Sequence, residues 1–517
     1  MINKSLGIVV TVLLIGFFNC MAQKRNNIWW FGHFAAINFG SGLAIVDSSK
    51  VLSRGSCVSI GDANGNHLFT VANDTDALYA VTIRGGKVYD KNYNIMQNGD
   101  TLVGRAWYQE HVIVPNPADS NLYYIFSAGV TSIYGLYYSV VDLSLNGGLG
   151  AVTQKNVMLD SVPADDCVIA IKNGNGRDWW VLFKRSSFPF ANPPNNEWHE
   201  YIVTPTGVIY YGMQQIGVPF LGNLGKLCVN SNGDKITFTH YDGLVETYDF
   251  DRCSGVISNA RTIEYPNWPT FLYPCNDCAF SPNGNNLYVT LSDTFSALIQ
   301  YNLLDTNPAL TKDTLWYYNF PVNGIGAVRR APDNKLYVSS AYYNGFTWNY
   351  PYPDSMYNVY NMNLSVINQP DSPGAACDFQ PYSFYLGGKR TYWGLPNNPD
   401  YDLGRDSGSV CDTIQWVGLT PQPPKGGVAT LQTTYINEWQ KLFVNVQHLK
   451  GKNCVLKIFD MNGREVFSSI NGSTTLTMTH NGYYTQDVDV GSLSSGLYVV
   501  NLVTDKEVLS AKFLKSR

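Results

Sequence analysis

One phrase returns six times along the chain: a polar turn followed by an apolar, aromatic-rich run. Residues 280–290 read FSPNGNNLYVT, and residues 329–340 read RRAPDNKLYVSS. Earlier stand GDANGNHLFTV from Gly61, NPADSNLYYIF from Asn116, KNGNGRDWWVLF from Lys172 and NSNGDKITFT from Asn230. The turn centres fall near residues 63, 118, 174, 232, 283 and 333. A regular period of this size, with several strands per unit, is the mark of a β-propeller. One small sheet cannot bury both faces, and an open stack leaves pairing edges at its ends. A closed ring covers every face but the outer rim.

Within the fifth unit, CAFSP leads into a turn at Asn283 and Gly284, followed by NLYVTLS, ALIQYNLL and TLWYYNF. Apolar residues there alternate or run on, as in half-buried and buried strands. Asn and Gly at the turns accept the positive φ that tight hairpins need. Strand-like sequence also lies outside the six phrases, in NIWWFGHFAAINFG from Asn27 and ACDFQPYSFYLGG from Ala376. If both build one blade, the two ends of the ring are stitched together. The expectation is therefore an all-β, seven-bladed β-propeller over residues 23–412. The alternative is a six-bladed ring with both segments flanking it.

Composition agrees. Of 517 residues, 14% are aromatic and only 15% charged, with 46 glycines and 35 tyrosines, a balance that favours strands and turns. The net charge is −5 and no basic block occurs, so the chain lacks the electrostatic footprint of a nucleic-acid or anionic-membrane partner.

The N-terminus reads as a signal peptide over residues 1–22. Lys4 precedes an apolar stretch at 6–18, and Cys20 and Ala22 are small residues placed for cleavage before Gln23. Asn19 disfavours lipidation at Cys20. The apolar stretch is shorter than the ~20 residues that span a bilayer, and no later run is longer, so no transmembrane span is expected. In an oxidising compartment some of the cysteines are expected to pair as disulfides. The pairings expected are Cys253 with Cys275 or Cys278, and Cys377 with Cys411. The lone CNDC at 275–278 lacks a second ligand pair, so no metal or cofactor is expected.

Two regions resemble known families. Residues 24–412 are similar to exported propeller proteins of Bacteroidetes, through NIWWFG with AAINFGSG, DANGNHLF, VPNPADSNLYYIF, YDFDRCSGVIS, AFSPNGNNLYVT and YWGLPNNPDYDLG. That resemblance brings no assigned chemistry. The chain departs from it at QEHVIVP, where a Glu–His pair replaces small residues, a local departure from the family pattern. Residues 428–517 resemble the type A sorting domain of the type IX secretion system, through LFVNVQ at 442–447, CVLKIFDMNGREVFSS from Cys454, DVDVGSLSSGLYVVNLVTD from Asp487 and the terminal AKFLKSR. Asp460, Gly463, Leu493, Gly496, Tyr498 and Lys515 lie in these motifs. The resemblance implies a cargo signal read by the type IX machinery at the outer membrane after Sec-dependent export, leaving the protein secreted or on the cell surface. By pattern alone this region is a small antiparallel β-sandwich, with DMNG a hairpin turn and LSSGLY a bend that gives Gly496 positive φ. GLTPQPPKGG falls within a Pro/Gly-rich linker at 413–427.

Three places invite chemistry. Glu110 and His111 in WYQEHVIVP, and Asp165 and Asp166 in PADDCVIAI, sit where first strands begin and would face a propeller channel, for acid–base work or a cation. The plainer reading is loop groups satisfied by backbone donors. Since neighbouring strand residues face opposite ways, only one of each pair can look inward. Aromatic insertions at 179–201 and 341–357 come next: strands can absorb Trp179, Trp180 and Tyr342, while Trp198, Trp348, Tyr350 and Tyr352 are candidates to hold a sugar ring or extended peptide. Folding back onto their own blades is the alternative. DANGN from Asp62 reads as a β-turn rather than a calcium loop. The reading that follows is a binding module for a glycan or surface protein. Its alternatives are an extracellular enzyme acting on glycans through channel carboxylates, and a structural spacer or adhesin.

Overall fold

A computed structural model describes residues 24–73, 84–105, 107–130, 134–188, 193–267, 274–292, 295–319, 323–342, 357–412, 430–436, 440–447, 455–469, 484–506 and 508–515. The signal segment, the linker and the loop bearing Trp348, Tyr350 and Tyr352 lie outside the described residues. The chain divides into two units, one ending and the other beginning between residues 412 and 430.

The first unit holds seven antiparallel sheets whose strands follow one another in sequence. Sheet I is Ile28–Phe31, His33–Asn38 and Ile45–Leu52; sheet II is Cys57–Gly61, His67–Asn73 and Gly86–Asp90. Sheet III is His111–Pro115, Leu122–Gly129, Gly135–Asp142 and Ala151–Asp160; sheet IV is Ile169–Lys172, Trp179–Lys184, Asn195–Thr204 and Gly207–Phe220. Sheet V is Gly225–Val229, Lys235–His240, Val245–Phe250 and Ile257–Glu264; sheet VI is Cys275–Phe280, Asn286–Ser292, Phe295–Asn302 and Asp313–Asn319. Sheet VII is Asn323–Arg330, Leu336–Tyr342, Asn363–Ile367 and Phe379–Tyr385.

All six recurrent phrases are the turns between first and second strands, in sheets II to VII. In sheet VI, Gly284 sits at φ +74°, its N–H donates to Ser281 O (2.9 Å), and Ser281 N–H donates to Asn286 O (2.8 Å). Sheet I makes the same connection with Gly32 alone, at φ +58°, so no seventh phrase is visible. Here only glycine fits: a Cβ would lie 2.2 Å from Arg390 O.

First strands of successive sheets touch from sheet I through to sheet VII. The space between neighbours is filled by shared apolar cores. Trp180, Leu182 and Trp198 of sheet IV pack with Leu227, Phe238 and Tyr248 of sheet V. Ala279, Tyr288 and Leu298 of sheet VI pack with Val328, Leu336 and Val338 of sheet VII. Between VII and I, Tyr337 meets Trp29 and Phe39 edge-on, at 6.0 and 5.8 Å between ring centroids. The circle closes, and the unit is a β-propeller.

Its closure differs from the expected shared blade. NIWWFGHFAAINFG forms the first two strands of sheet I, which takes its third strand from the nearby residues 45–52. ACDFQPYSFYLGG instead supplies the outermost strand of sheet VII. A local hairpin partner is reached at less entropic cost than one from the far chain end. The stitch comes from the residues that follow. His33 N–H donates to Arg390 O (2.8 Å), Ala327 N–H to Trp393 O (2.7 Å), Trp393 N–H to Arg54 O (3.2 Å) and Asn397 N–H to Cys57 O (2.8 Å).

The disulfide also differs from both expected pairings. Cys253 bonds Cys411, 158 residues away. Cys253 lies in the turn between the third and fourth strands of sheet V. Residues 404–406 are laid against this turn and the neighbouring turn of sheet IV: the Arg252 guanidinium donates to Gly404 O, and Asp406 N–H donates to Gly174 O (2.7 Å) of sheet IV. Cys275 and Cys278 stand on the first strand of sheet VI and Cys377 in the core between sheets VI and VII, all buried away from that turn.

The second unit is an antiparallel β-sandwich. One sheet contains Thr430–Ile436, Lys441–Gln447 and Tyr484–Asp489. The other contains Glu465–Ser468, Val455–Asp460, Gly496–Val503 and Val508–Lys515. Leu442, Val444, Leu456, Ile458, Val488, Val500 and Leu502 form its core.

Candidate functional site

The propeller axis is occupied by the chain itself. Residues 396–400 line a cavity of about 110 Å³ together with first-strand residues of sheets I, IV, V, VI and VII. A segment that reaches the first strands of sheets not adjacent to one another must lie on the axis. Asn397 is its anchor: the side-chain amide donates to His111 O (2.9 Å) of sheet III and to Val168 O (2.8 Å) before sheet IV. Gln109 Nε2 donates to Asn397 Oδ1 (2.9 Å) and to Leu227 O (2.7 Å) of sheet V, while Leu227 N–H returns a bond to Gln109 Oε1 (2.8 Å). Further along, Lys172 Nζ donates to Tyr401 O (3.1 Å), Asn26 Nδ2 to Pro399 O (3.0 Å), and Arg25 pairs with Asp402.

The channel carboxylates converge beside this plug and are sealed. Glu110, His111, Asp165 and Asp166 are all buried. Asp166 accepts from Gln109 N–H (2.7 Å), Tyr108 N–H (2.9 Å) and Lys226 Nζ (2.6 Å). Glu110 accepts from Arg105 N–H (2.9 Å), Trp107 N–H (3.0 Å) and the Asn73 amide. Burial, and then the Asp166 charge, push the Glu110 carboxyl up to about 8, against the pull of these N–H donors. Burial also raises Asp166, opposed by Lys226. The His111 ring contacts Ser127 Oγ (3.0 Å) and Asn73 Oδ1 (2.6 Å), and burial pushes it down to about 3, so it is neutral. Asp165 accepts from Gly225 N–H (2.9 Å) and Asp166 N–H (2.8 Å). Both members of each pair are buried, so strand alternation does not send one of them to solvent: Asp165 and Asp166 precede the first strand of sheet IV, Glu110 precedes that of sheet III, and His111 opens it. None of them lines the cavity.

Trp198, expected to meet a ligand, is fully buried. It lies on a central strand of sheet IV, paired with Lys184, and its ring packs edge-on against Tyr248 at 5.0 Å. Around Lys184 Nζ stand Trp198 (4.4 Å), Phe238 (4.6 Å), Phe220 (5.3 Å) and Tyr248 (5.6 Å), an aromatic cage for an ammonium that finds no hydrogen-bond acceptor among the described residues. Burial lowers Lys184 to about 8, opposed first by Glu246. Nothing in the local sequence marks Lys184, Lys226 or Asn397 for these roles, because their partners come from other sheets.

An aromatic group does reach the surface at sheets VI and VII: Trp316 and Tyr318 on the last strand of VI, Tyr382 on the last strand of VII, Tyr342 at the end of the second strand of VII and Tyr360 in the turn before its third. Trp316 and Tyr318 stack at 5.9 Å with 11° between planes, as do Tyr342 and Tyr360 at 5.9 Å and 10°. Tyr382 meets Tyr360 at 5.1 Å and Trp316 at 6.1 Å, edge-on to both. All five rings are half-buried, and Tyr317 and Tyr385 beside them are exposed. Tyr342 and Tyr357 bracket the segment 343–356. Asp62 accepts from Asn64 and Asn66 N–H (2.8 and 2.9 Å), the β-turn expected of DANGN.

In the sandwich, Asp460 accepts from the N–H groups of Asn462 and Arg464 (both 3.0 Å), and Gly463 takes φ +79° to close the turn. Gly496 corrects the expectation of positive φ: it opens a strand, paired with Lys515, in ordinary extended backbone. The bend before it is held by Lys515, whose buried Nζ donates to Val490 O (2.6 Å), Gly491 O (3.0 Å) and Leu493 O (2.7 Å). Tyr498 Oη donates to Ser494 O (2.7 Å), and its ring stacks on Phe513 at 5.2 Å.

Two outcomes follow for the buried cluster. Lys226→Met leaves Asp166 without its cation in a dry interior and is expected to cost about 3–5 kcal/mol in chemical unfolding. Glu110 has a folded pKa near 8 against an ordinary 4.5, so its neutral form is the one the fold prefers. Its contribution is complete below about 4.5 and is lost as pH rises through 8. Melting temperature should therefore fall across that window in the wild type, and the fall should be smaller in Glu110→Gln even if that variant melts lower throughout.

Residues 440–516 match the family described as the secretion system C-terminal sorting domain. No curated protein matches the chain by sequence. Among solved structures, a candidate 6-phosphogluconolactonase of Bacteroides fragilis aligns at 12% identity and TM-score 0.43, covering 72% of this chain and 98% of that one. One from Bacteroides uniformis aligns at 13% identity and TM-score 0.39, covering 60% and 89%. The Swd1 β-propeller domain of Myceliophthora thermophila aligns at 9% identity and TM-score 0.36, covering 61% and 93%. The fold rests on the strand order above. No helix of the described residues is long and apolar enough to cross a membrane. The C-terminal unit is a sorting domain of the type IX secretion system, and it marks the propeller that precedes it for export to the cell surface or the medium.

Proposed function

We propose that the chain is a non-enzymatic binding propeller, carried through the Sec route to the periplasm and then outward by its sorting domain, where it engages a glycan or surface protein. The observation that carries this reading is the half-buried aromatic group of Trp316, Tyr318, Tyr342, Tyr360 and Tyr382. Flat rings with hydroxyl edges give contact area at low entropic cost and suit sugar faces or extended peptides. Tyr342 and Tyr360 stand in sequence on either side of residues 343–356, whose sequence adds Trp348, Tyr350 and Tyr352. The enzymatic alternative draws on the raised Glu110 carboxyl beside Asp166, but both are fully buried and occupied by backbone N–H and side-chain donors.

The test is retention of the full chain on a glycan and peptide array. Tyr318→Ala with Tyr360→Ala, and separately Trp348→Ala with Tyr350→Ala, are expected to weaken retention at least tenfold with little change in melting temperature. Undiminished retention in both would remove these aromatics from the site. Deleting residues 428–517 is expected to leave a folded propeller in the periplasm; normal appearance in the medium would break the link between the sorting domain and export.

A further inference from the structure

Cys228 and Cys278 stand on the first strands of sheets V and VI, which lie directly against each other. Their Sγ atoms are 3.1 Å apart, about 1 Å beyond the ~2.05 Å of a bonded pair. Both residues line the axial cavity, Cys278 buried and Cys228 partly open. The chain already holds one disulfide, Cys253–Cys411, and that bridge is also anchored on sheet V. We propose that Cys228 and Cys278 close into a second disulfide in the exported protein, clamping sheets V and VI together at the channel wall.

The chemistry is thiol–disulfide exchange with a disulfide-bearing oxidant, either a small molecule or a dithiol oxidase of the periplasm. Cys228, the more open of the two, gives its proton to solvent and attacks one sulfur of the oxidant. The oxidant's S–S bond breaks, and a mixed disulfide forms as the first thiolate leaves. Cys278 then loses its proton and attacks Cys228 Sγ, displacing the second thiolate. The two cysteines give up two electrons and two protons, and the oxidant is reduced to two thiols. Burial holds the Cys278 thiol well above its ordinary pKa, which makes it the later, resolving partner, acting at short range. The product joins two neighbouring sheets through their innermost strands. With Cys253–Cys411 holding residue 411 to sheet V, the second bridge would add a covalent tie between sheets V and VI at the cavity wall.

The experiment uses the full chain purified after export, alkylated in denaturant without reduction, and compares it with Cys228→Ala/Cys278→Ala. With the bond formed, both proteins show the same number of titratable thiols, and non-reducing peptide mapping of the wild type finds the segments bearing Cys228 and Cys278 linked. Two more thiols in the wild type than in the variant, or either cysteine linked elsewhere, overturns the proposal. The thiol count assumes that the variant still forms Cys253–Cys411, which its own peptide map checks; the map of the wild type does not depend on the variant folding.

Discussion

A ring of sheets hides sheet faces but leaves an axis, toward which every first strand turns its backbone and entry loops. Many carbonyls and N–H groups there are buried, and each buried one left unpaired costs about 1–3 kcal/mol. Here the chain supplies the missing partners itself. Asn397 bonds main-chain groups of three sheets, and through Gln109 it extends the contact to a fourth. The segment from Arg390 onward also joins sheets I, II and VII by backbone bonds, so the same stretch that fills the axis closes the circle. Cys253–Cys411 then holds its far end.

The buried charges make sense against that plug. Lys226 crosses from sheet V to Asp166 at the entry of sheet IV, and Asp166 in turn receives N–H groups that precede sheet III. One ion pair therefore ties three sheets at one level of the ring. Such a pair adds little net stability over an apolar replacement, but once one partner is lost the other becomes costly. Lys184 is handled differently, with four aromatic faces in place of an acceptor. Both arrangements consume groups that, in an open channel, would be available for catalysis. That moves the search for a ligand to the rim.

At the surface of sheets VI and VII five aromatic rings gather, and residues 343–356, which follow Tyr342 in the chain, are rich in Trp and Tyr by sequence. The sandwich unit carries the export signal on its own compact core, with Lys515 near the chain end tying the bend at 490–493 to the last strand.

Much of this was legible from the letters. Six turn phrases mark the joint between first and second strands of six sheets, because a hairpin turn is a local event: Gly284 needs positive φ whatever lies across the ring. The seventh sheet hides because Gly32 makes the same joint in one residue. The sandwich and its DMNG turn were readable for the same reason. Other features depend on partners distant in sequence. Trp198 looks like a loop aromatic until sheets IV and V close over it. Glu110 and Asp166 look catalytic until backbone donors and Lys226 arrive from neighbouring sheets. Cys253 finds Cys411 only because the axial segment emerges beside sheet V. The sequence by itself determined strands, turns, the two units and the export signal, all set by residues within one hairpin of each other. Only the tertiary structure decided how the ring closes, which cysteines meet and which polar groups water can reach, because those follow from which sheets lie side by side and from what fills the axis.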